Sequence, residues 1–274
     1  MKSIFVKVRV TFPGEGCTVG VTDGEEMNEF CEKLISLAAR LRIDLSEEKA
    51  IRLYKYYLML IEKNRVMNLT AITEEDEVIL KHFIDSLSIA YCIDPAVFTG
   101  KDGHPGPKMI DIGTGAGFPG LVLKIVFPDI QMTLFDSLKK RLNFLDEVIS
   151  CLGIEGVSTL HGRAEDFGHD QKYREKYDFA VSRAVANMAT LSEYCLPFVR
   201  KDGCFMAYKT ADCEGEISSA ENAIRKLGAE VENIYHFTLP KSDIGRSLIV
   251  LRKNHLTDKK YPRKAGTPSK DPLK

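Results

Sequence analysis

The stretch Lys108-Met109-Ile110-Asp111-Ile112-Gly113-Thr114-Gly115-Ala116-Gly117-Phe118-Pro119-Gly120 is where the fold can be read. Met109 to Ile112 has the apolar content of a short buried strand. Glycines follow at alternate positions, and an apolar helical pattern then runs from Leu121 to Val126. Strand, glycine turn and helix make the first βα unit of a nucleotide-binding α/β sheet. The glycines permit a tight turn and let a ligand approach the backbone. Alone the pattern is weak, because such loops are often only turns. Two acids sharpen it: Asp111 just before the glycines, and Asp136 after the next strand-like run, Gln131 to Phe135.

Those carboxylates discriminate between ligands. A dinucleotide would set its pyrophosphate against the loop, where Asp111 opposes it. S-adenosylmethionine has no phosphate and carries an ammonium and a sulfonium, so an acid beside the loop helps. Asp136 then suits the ribose hydroxyls. S-adenosylmethionine is the first reading, NAD the second, a purely structural turn the third.

Working outward, strand and helix patterns alternate. Val157 to Leu160, Tyr177 to Val181 and Gly203 to Tyr208 read as further strands. Leu121 to Phe127, Leu138 to Leu152, Ala189 to Val199 and Glu214 to Leu227 read as helices. The alternation predicts a parallel sheet with helices on both faces. Glu230 to Phe237 and Ser247 to Leu251, close together, predict an antiparallel edge. Ligands of such sheets bind beyond the carboxyl ends of the strands. The glycine loop, Asp136, Arg163-Ala164-Glu165 and Ser182-Arg183-Ala184 all fall on that rim.

Upstream, residues 27–104 read as an N-terminal helical cap. Phe30, Leu34, Leu37 and Leu41 share one helix face, Ser46 is a good helix start, and Ile51, Tyr54, Leu58 and Ile61 step at helical spacing. A third helical stretch runs from about Glu74 to Tyr91. His82 and Asp85 share its face, which predicts a hydrogen-bonded structural pair, since no third group for catalysis is visible. Residues 1–26 form a leader, in which Ile4 to Val10 alternates like a half-buried strand; it is either a small hairpin on the body or sequence ahead of a start at Met27. The breaker-rich loop 102–107 opens the main domain, 105–253. The tail, 254–274, is basic: Arg252 to Lys274 holds eight Lys/Arg against two Asp. Such charge favours phosphate backbones, and the plain alternative is a solvated end.

The formal net charge of −1 makes any nucleic-acid surface local. No run approaches the roughly 18 apolar residues of a membrane span. Seven cysteines without a CxxC pair point to reduced thiols in the cytoplasm, and no clustered ligand set suggests a metal.

Together these residues resemble the RsmG (GidB) family of bacterial small-subunit rRNA guanine-N7 methyltransferases. The resemblance runs from about Met27 to Leu273. It rests on Asn68-Leu69-Thr70, Lys81-His82-Phe83 with Asp85-Ser86, Asp111 to Pro119, Asp136-Ser137-Leu138 with Lys140-Arg141, Arg163-Ala164-Glu165, Ser182-Arg183-Ala184, and Lys260-Tyr261-Pro262-Arg263-Lys264 with Gly266-Thr267-Pro268. It implies a class I methyltransferase fold: Rossmann-like, seven strands, mostly parallel. It also implies S-adenosylmethionine as donor and a guanine in the 530 loop of 16S rRNA as target; a monomer is expected. By position, Gly113, Gly115, Phe118, Asp136, Ala164 and Glu165 would bind the cofactor. Arg183 would sit beside the methyl donor as the catalytic residue. Arg141, Lys260, Arg263 and Lys264 would contact RNA. The family usually has a Trp before Asn64, where this chain has Lys63. The chemistry is consistent, because guanine N7 has a free lone pair and needs positioning more than a base. The plain alternative for Arg183 is a structural salt bridge. Other readings are a methyltransferase of the same fold acting on another RNA, an NAD-dependent oxidoreductase, and a non-catalytic RNA-binding module.

Overall fold

The protein is described by a computed structural model covering residues 24–100, 105–183 and 186–274, with the backbone of Val8–Arg9 and Gly20–Val21. Those two short segments pair antiparallel. The rest of the expected strand from Ile4 to Val10 lies outside the described residues.

Seven strands form one sheet: β1 (Lys108–Ile112), β2 (Gln131–Asp136), β3 (Val157–His161), β4 (Tyr177–Arg183), β5 (Val199–Thr210), β6 (Ala229–Thr238) and β7 (Gly245–Lys253). Their order is β3-β2-β1-β4-β5-β7-β6. The pairings from β3 through β5 are parallel, and β7 runs antiparallel to both β5 and β6. The expected antiparallel edge is therefore present. The reversal of strand order beside β1 opens a crevice at the carboxyl ends, which is where the glycine loop emerges.

Period-two alternation assigns the two faces. Met109, Val181, Met206 and Val250 share a core with α5 (Gly120–Val126) and α6 (Lys139–Leu152). Ile110, Ala180, Phe205 and Leu251 point the other way, into a core with α8 (Met188–Cys195) and α9 (Glu214–Lys226).

The cap is not a separate body. Phe30, Leu34 and Leu41 of α1 (Gly24–Arg40) and its surround, with Leu53, Tyr56 and Leu60 of α2 (Glu47–Met67), belong to the α5–α6 core. Ser46 caps α2 as expected, its hydroxyl accepting from Lys49 N. Because α1 begins at Gly24, the boundary expected after residue 26 falls inside its first turn. Lys63 forms an ion pair with Glu147 of α6 at 2.7 Å. The third stretch of the cap is not one α-helix. A short α3 (Glu75–Val78) passes into a π-helical turn, Ile79–Ile84, and then into α4 (Asp85–Leu87). Such turns occur often at functional sites.

The tail is folded, in contrast to a solvated end. Tyr261 and Pro268 are buried. Arg174 donates to the carbonyls of Thr257 and Tyr261, at 2.6 and 2.8 Å. Thr190 of α8 donates to Pro268 O at 2.8 Å. Among the described cysteines, Cys31, Cys92, Cys195, Cys204 and Cys213 are free. Cys151 departs from the expectation of reduced thiols: it is disulfide-bonded, a pairing that composition could not indicate. No helix of the described residues is long and apolar enough to cross a membrane, and no group of metal-ligating side chains is found among them.

Candidate active site

A cavity of about 730 Å³ opens at the carboxyl end of the sheet, within the size range of small-molecule sites. One wall is the glycine loop, from Gly113 to Ala116, with Phe118, Asp136, Ser137 and Arg141. The other wall comes from the cap and the distal strands: Thr70, Lys81, His82 and Asp85 face Arg183, Tyr208, Lys209 and Arg246.

The loop is held from behind. Gly113 N and Thr114 N both donate to Phe135 O, at 2.8 and 3.0 Å. Gly115 N donates to Asp136 Oδ2 at 2.9 Å, and Gly117 N and Phe118 N both donate to Thr114 O. Gly115 has φ +59° and Gly117 φ +101°, a region that disfavours side chains. A Cβ on Gly117 would lie 2.5 Å from Tyr56 Oη. Tyr56 reaches across from α2, donates to Ala116 O and stacks on Phe118, with centroids 5.6 Å apart. The cap thus fixes the shape of the loop.

Asp111 is placed differently from the expectation of an acid beside the ligand. It is fully buried behind the loop, where Oδ2 accepts from Thr114 Oγ1 at 2.7 Å and from Gly120 N at 2.8 Å. Among the described residues its Oδ1 has no partner. Burial, the largest influence, pushes its carboxyl up to about 6. Asp111 still opposes a phosphate ligand, but by occupying the first N–H of α5, where an anion would otherwise bind. Asp136 lies on the cavity wall as expected. Its Oδ1 accepts from Leu138 N, and Arg141 approaches Oδ2 at 3.4 Å. Arg141, expected on RNA, therefore borders the cofactor side of the cavity.

Arg183 reaches the cavity, and its guanidinium is held by the cap. It donates to Asp85 at 2.8 Å, to Lys81 O at 3.2 Å and to His82 Nδ1 at 3.4 Å, and lies 5.3 Å from the Phe118 ring centre. The expected pairing of His82 with Asp85 is thus replaced by a meeting of both on Arg183. Burial first, and then the Arg183 charge, push His82 down to about 4, so its ring is neutral.

The other expected residues do not border the cavity. Ala164 and Glu165 open α7 (Ala164–Phe167), and Glu165 accepts from Gly266 N of the tail at 2.8 Å. Arg263, expected on RNA, is an ion-pair partner in the fold: it holds Glu193, whose side chain is fully buried, at 2.8 Å. A buried carboxylate without a cation is costly, which draws Arg263 inward. Lys260 pairs with Asp258 at 3.3 Å, while Lys264 is exposed. Ala184 lies outside the described residues. Sequence reasoning missed Lys209 and Arg246. Lys209 could have been found by its position at the end of a strand; Arg246 sits at the start of an antiparallel strand, where the carboxyl-end rule does not look.

Comparison with known proteins identifies relatives. A family model described as "GidB: rRNA small subunit methyltransferase G" matches residues 49–245. The chain is 49% identical over 240 residues to the ribosomal RNA small subunit methyltransferase G of Acetivibrio thermocellus, covering 88% of this chain and 95% of that one. It is 47% identical over 247 residues to the protein of the same name from Desulforamulus reducens, covering 90% of this chain and all of that one. Among solved structures, a mutant of MtNAS in complex with S-adenosylmethionine superposes with a TM-score of 0.50 at 14% identity, covering 85% of this chain and 93% of that one. That likeness concerns the fold alone.

Proposed function

Because this chain belongs to the GidB, or rRNA small subunit methyltransferase G, family, we propose that it transfers a methyl group from S-adenosylmethionine to N7 of a guanine in the 530 loop of 16S rRNA in the small ribosomal subunit. The observation that carries the choice of cofactor is the direction of the loop amides. Those of Gly113, Thr114, Gly115, Gly117 and Phe118 all donate to protein oxygens. Asp111 takes the Gly120 N–H. A pyrophosphate would need such donors, so the NAD alternative finds little here.

The residues fit S-adenosylmethionine. Among the described residues beyond its chain neighbours, a Cβ on Gly115 would meet no atom closer than 3.9 Å, so the loop has open space in front of it. Gly113, Gly115 and Phe118 would line the methionine end, with Asp136 toward the ribose. Bound there, S-adenosylmethionine supplies a methyl group on a positively charged sulfur, which a nitrogen lone pair takes without prior loss of a proton. The chain's own part is orientation. The ionisable groups at the cavity wall suit that part. Both oxygens of Asp85 accept from arginines, Tyr208 Oη donates to Ser86 O, and neutral His82 has both ring nitrogens engaged. Arg183, whose guanidinium can only donate, serves as an electrostatic guide for the target nucleotide. A monomer working on ribosomes in the cytoplasm is part of this proposal.

The test is methyl transfer from labelled S-adenosylmethionine to small subunits lacking the modification, followed by nucleoside analysis. Label in 7-methylguanosine at one site of 16S rRNA is expected. Label in another nucleoside, or none, refutes the reading.

A further inference from the structure

The cavity wall opposite the glycine loop is built around one carboxylate. The Asp85 side chain, 5% exposed, accepts Arg183 Nη1 on Oδ2 at 2.8 Å and Arg246 Nε on Oδ1 at 2.9 Å. The two arginines arrive from different strands, Arg183 at the end of β4 and Arg246 at the start of β7, and both line the cavity. Arg183 also donates to Lys81 O and His82 Nδ1. Three contacts, against the five N–H donors of a guanidinium, thus end on the single turn from Lys81 to Asp85.

The same turn is fixed from its far side. A guanidinium only donates, so Nδ1 of His82 carries the lone pair and Nε2 carries the hydrogen. That hydrogen goes to Thr70 Oγ1 at 2.8 Å. Thr70 is itself clamped by Asn64, which accepts from its N–H and donates to its carbonyl, both at 2.9 Å. The His82 ring stacks on Phe118, with centroids 4.4 Å apart and planes 13° apart. One turn of the cap therefore touches the glycine loop and both arginines together.

A purely stabilising role would be a poor use of this arrangement. Buried ion pairs seldom repay their desolvation, and apolar side chains of similar volume stabilise as well or better. A shared carboxylate gives something apolar packing cannot: a fixed direction for two guanidiniums. We propose that Asp85 is a positioning residue for methyl transfer, holding Arg183 and Arg246 as an oriented pair toward the target nucleotide and making the cap part of the reactive geometry. The chemistry suits a nucleotide, since paired guanidiniums donate to phosphate oxygens or to a purine O6 and take no proton. The inference rests on the methyl-transfer reading above.

The experiment is single-turnover methyl transfer to small subunits by the full chain, with cofactor affinity measured separately. Asp85→Asn keeps the shape and removes the charge. It should slow transfer by about 10- to 100-fold, the scale of a small misplacement, while cofactor affinity changes less than about threefold. Arg246→Lys keeps the charge but not the planar fork, and should reproduce part of the loss. In the Asp85→Asn/Arg183→Lys double variant the losses should fall short of multiplying, because Asp85 works through Arg183. A parent-like rate in Asp85→Asn, or losses that multiply in the double variant, overturns the proposal. Should Asp85→Asn not fold, Arg246→Lys decides, and a parent-like rate there overturns it. Absence of transfer by the unsubstituted chain would instead remove the methyl-transfer reading, before any variant is compared.

Discussion

Replacing Asp111 by Asn tests the physics of the glycine loop directly. In the folded chain Oδ2 carries two hydrogen bonds, from Thr114 Oγ1 and Gly120 N, and Oδ1 is buried with no partner among the described residues. Burial raises its carboxyl from 3.8 to about 6. The folded state therefore holds the proton more tightly than the unfolded one. Stability from this group is fully present below the unfolded value and is lost as pH rises through about 6. At about 1.36 kcal/mol per pH unit the full span is about 3 kcal/mol. An Asn oxygen can take over both bonds, with its NH₂ standing where Oδ1 stood. An unsatisfied buried amide costs about 1–3 kcal/mol, but equally at every pH. The cost cancels when the parent–variant difference is compared between two pH values. That difference should move by about 2 kcal/mol in favour of the Asp111→Asn variant between about pH 4.5 and about pH 7.5. Chemical denaturation followed by far-UV circular dichroism is the assay, since the chain has no tryptophan. Parallel pH profiles for parent and Asp111→Asn would refute the reasoning, because they would mean that Asp111 titrates alike folded and unfolded.

Other outcomes follow from the same contacts. Arg263→Ala strands the fully buried Glu193 and should cost about 3–5 kcal/mol in denaturation, whereas Lys264→Ala should stay within about 0.5 kcal/mol; equal effects would refute the part given to the Arg263–Glu193 pair. If exposed Lys259 and Lys264 touch phosphates, neutralising both should flatten the salt dependence of RNA binding by about 0.7–0.9 per contact, and an unchanged slope would make the tail purely structural. His82, held near 4, should leave methyl transfer without an inflection near its ordinary 6.5. A base depressed in this way contributes stability fully above 6.5 and loses it as pH falls toward 4. An inflection near 6.5 that disappears in His82→Gln would show a normal, titrating ring. Gly117→Ala should abolish cofactor binding, seen by calorimetry, because its Cβ would strike Tyr56 and its φ disfavours any side chain.

What the sequence by itself determined is the periodic part. The apolar run from Met109 to Ile112 and helical spacing in α2, α5, α6 and α9 are local signals, set by which faces must be buried. They place the elements to within a few residues, and the carboxyl-end rule then brings the glycine loop, Asp136 and Arg183 to one rim. Ser46 was legible because a helix cap is a contact between near neighbours. The tertiary structure alone decided what each charge does. Asp111 and Asp136 look equivalent in sequence, and both are buried; their places in the fold make one a support behind the loop and the other part of the cavity wall. Arg263 reads as a free cation until buried Glu193, seventy residues earlier, claims it. Asp85, Arg183 and Arg246 are separated by as many as 161 residues, and their meeting has no sequence period. Buried charges are satisfied by whichever partner the fold brings close, and that choice is made by the whole chain rather than by any stretch of it.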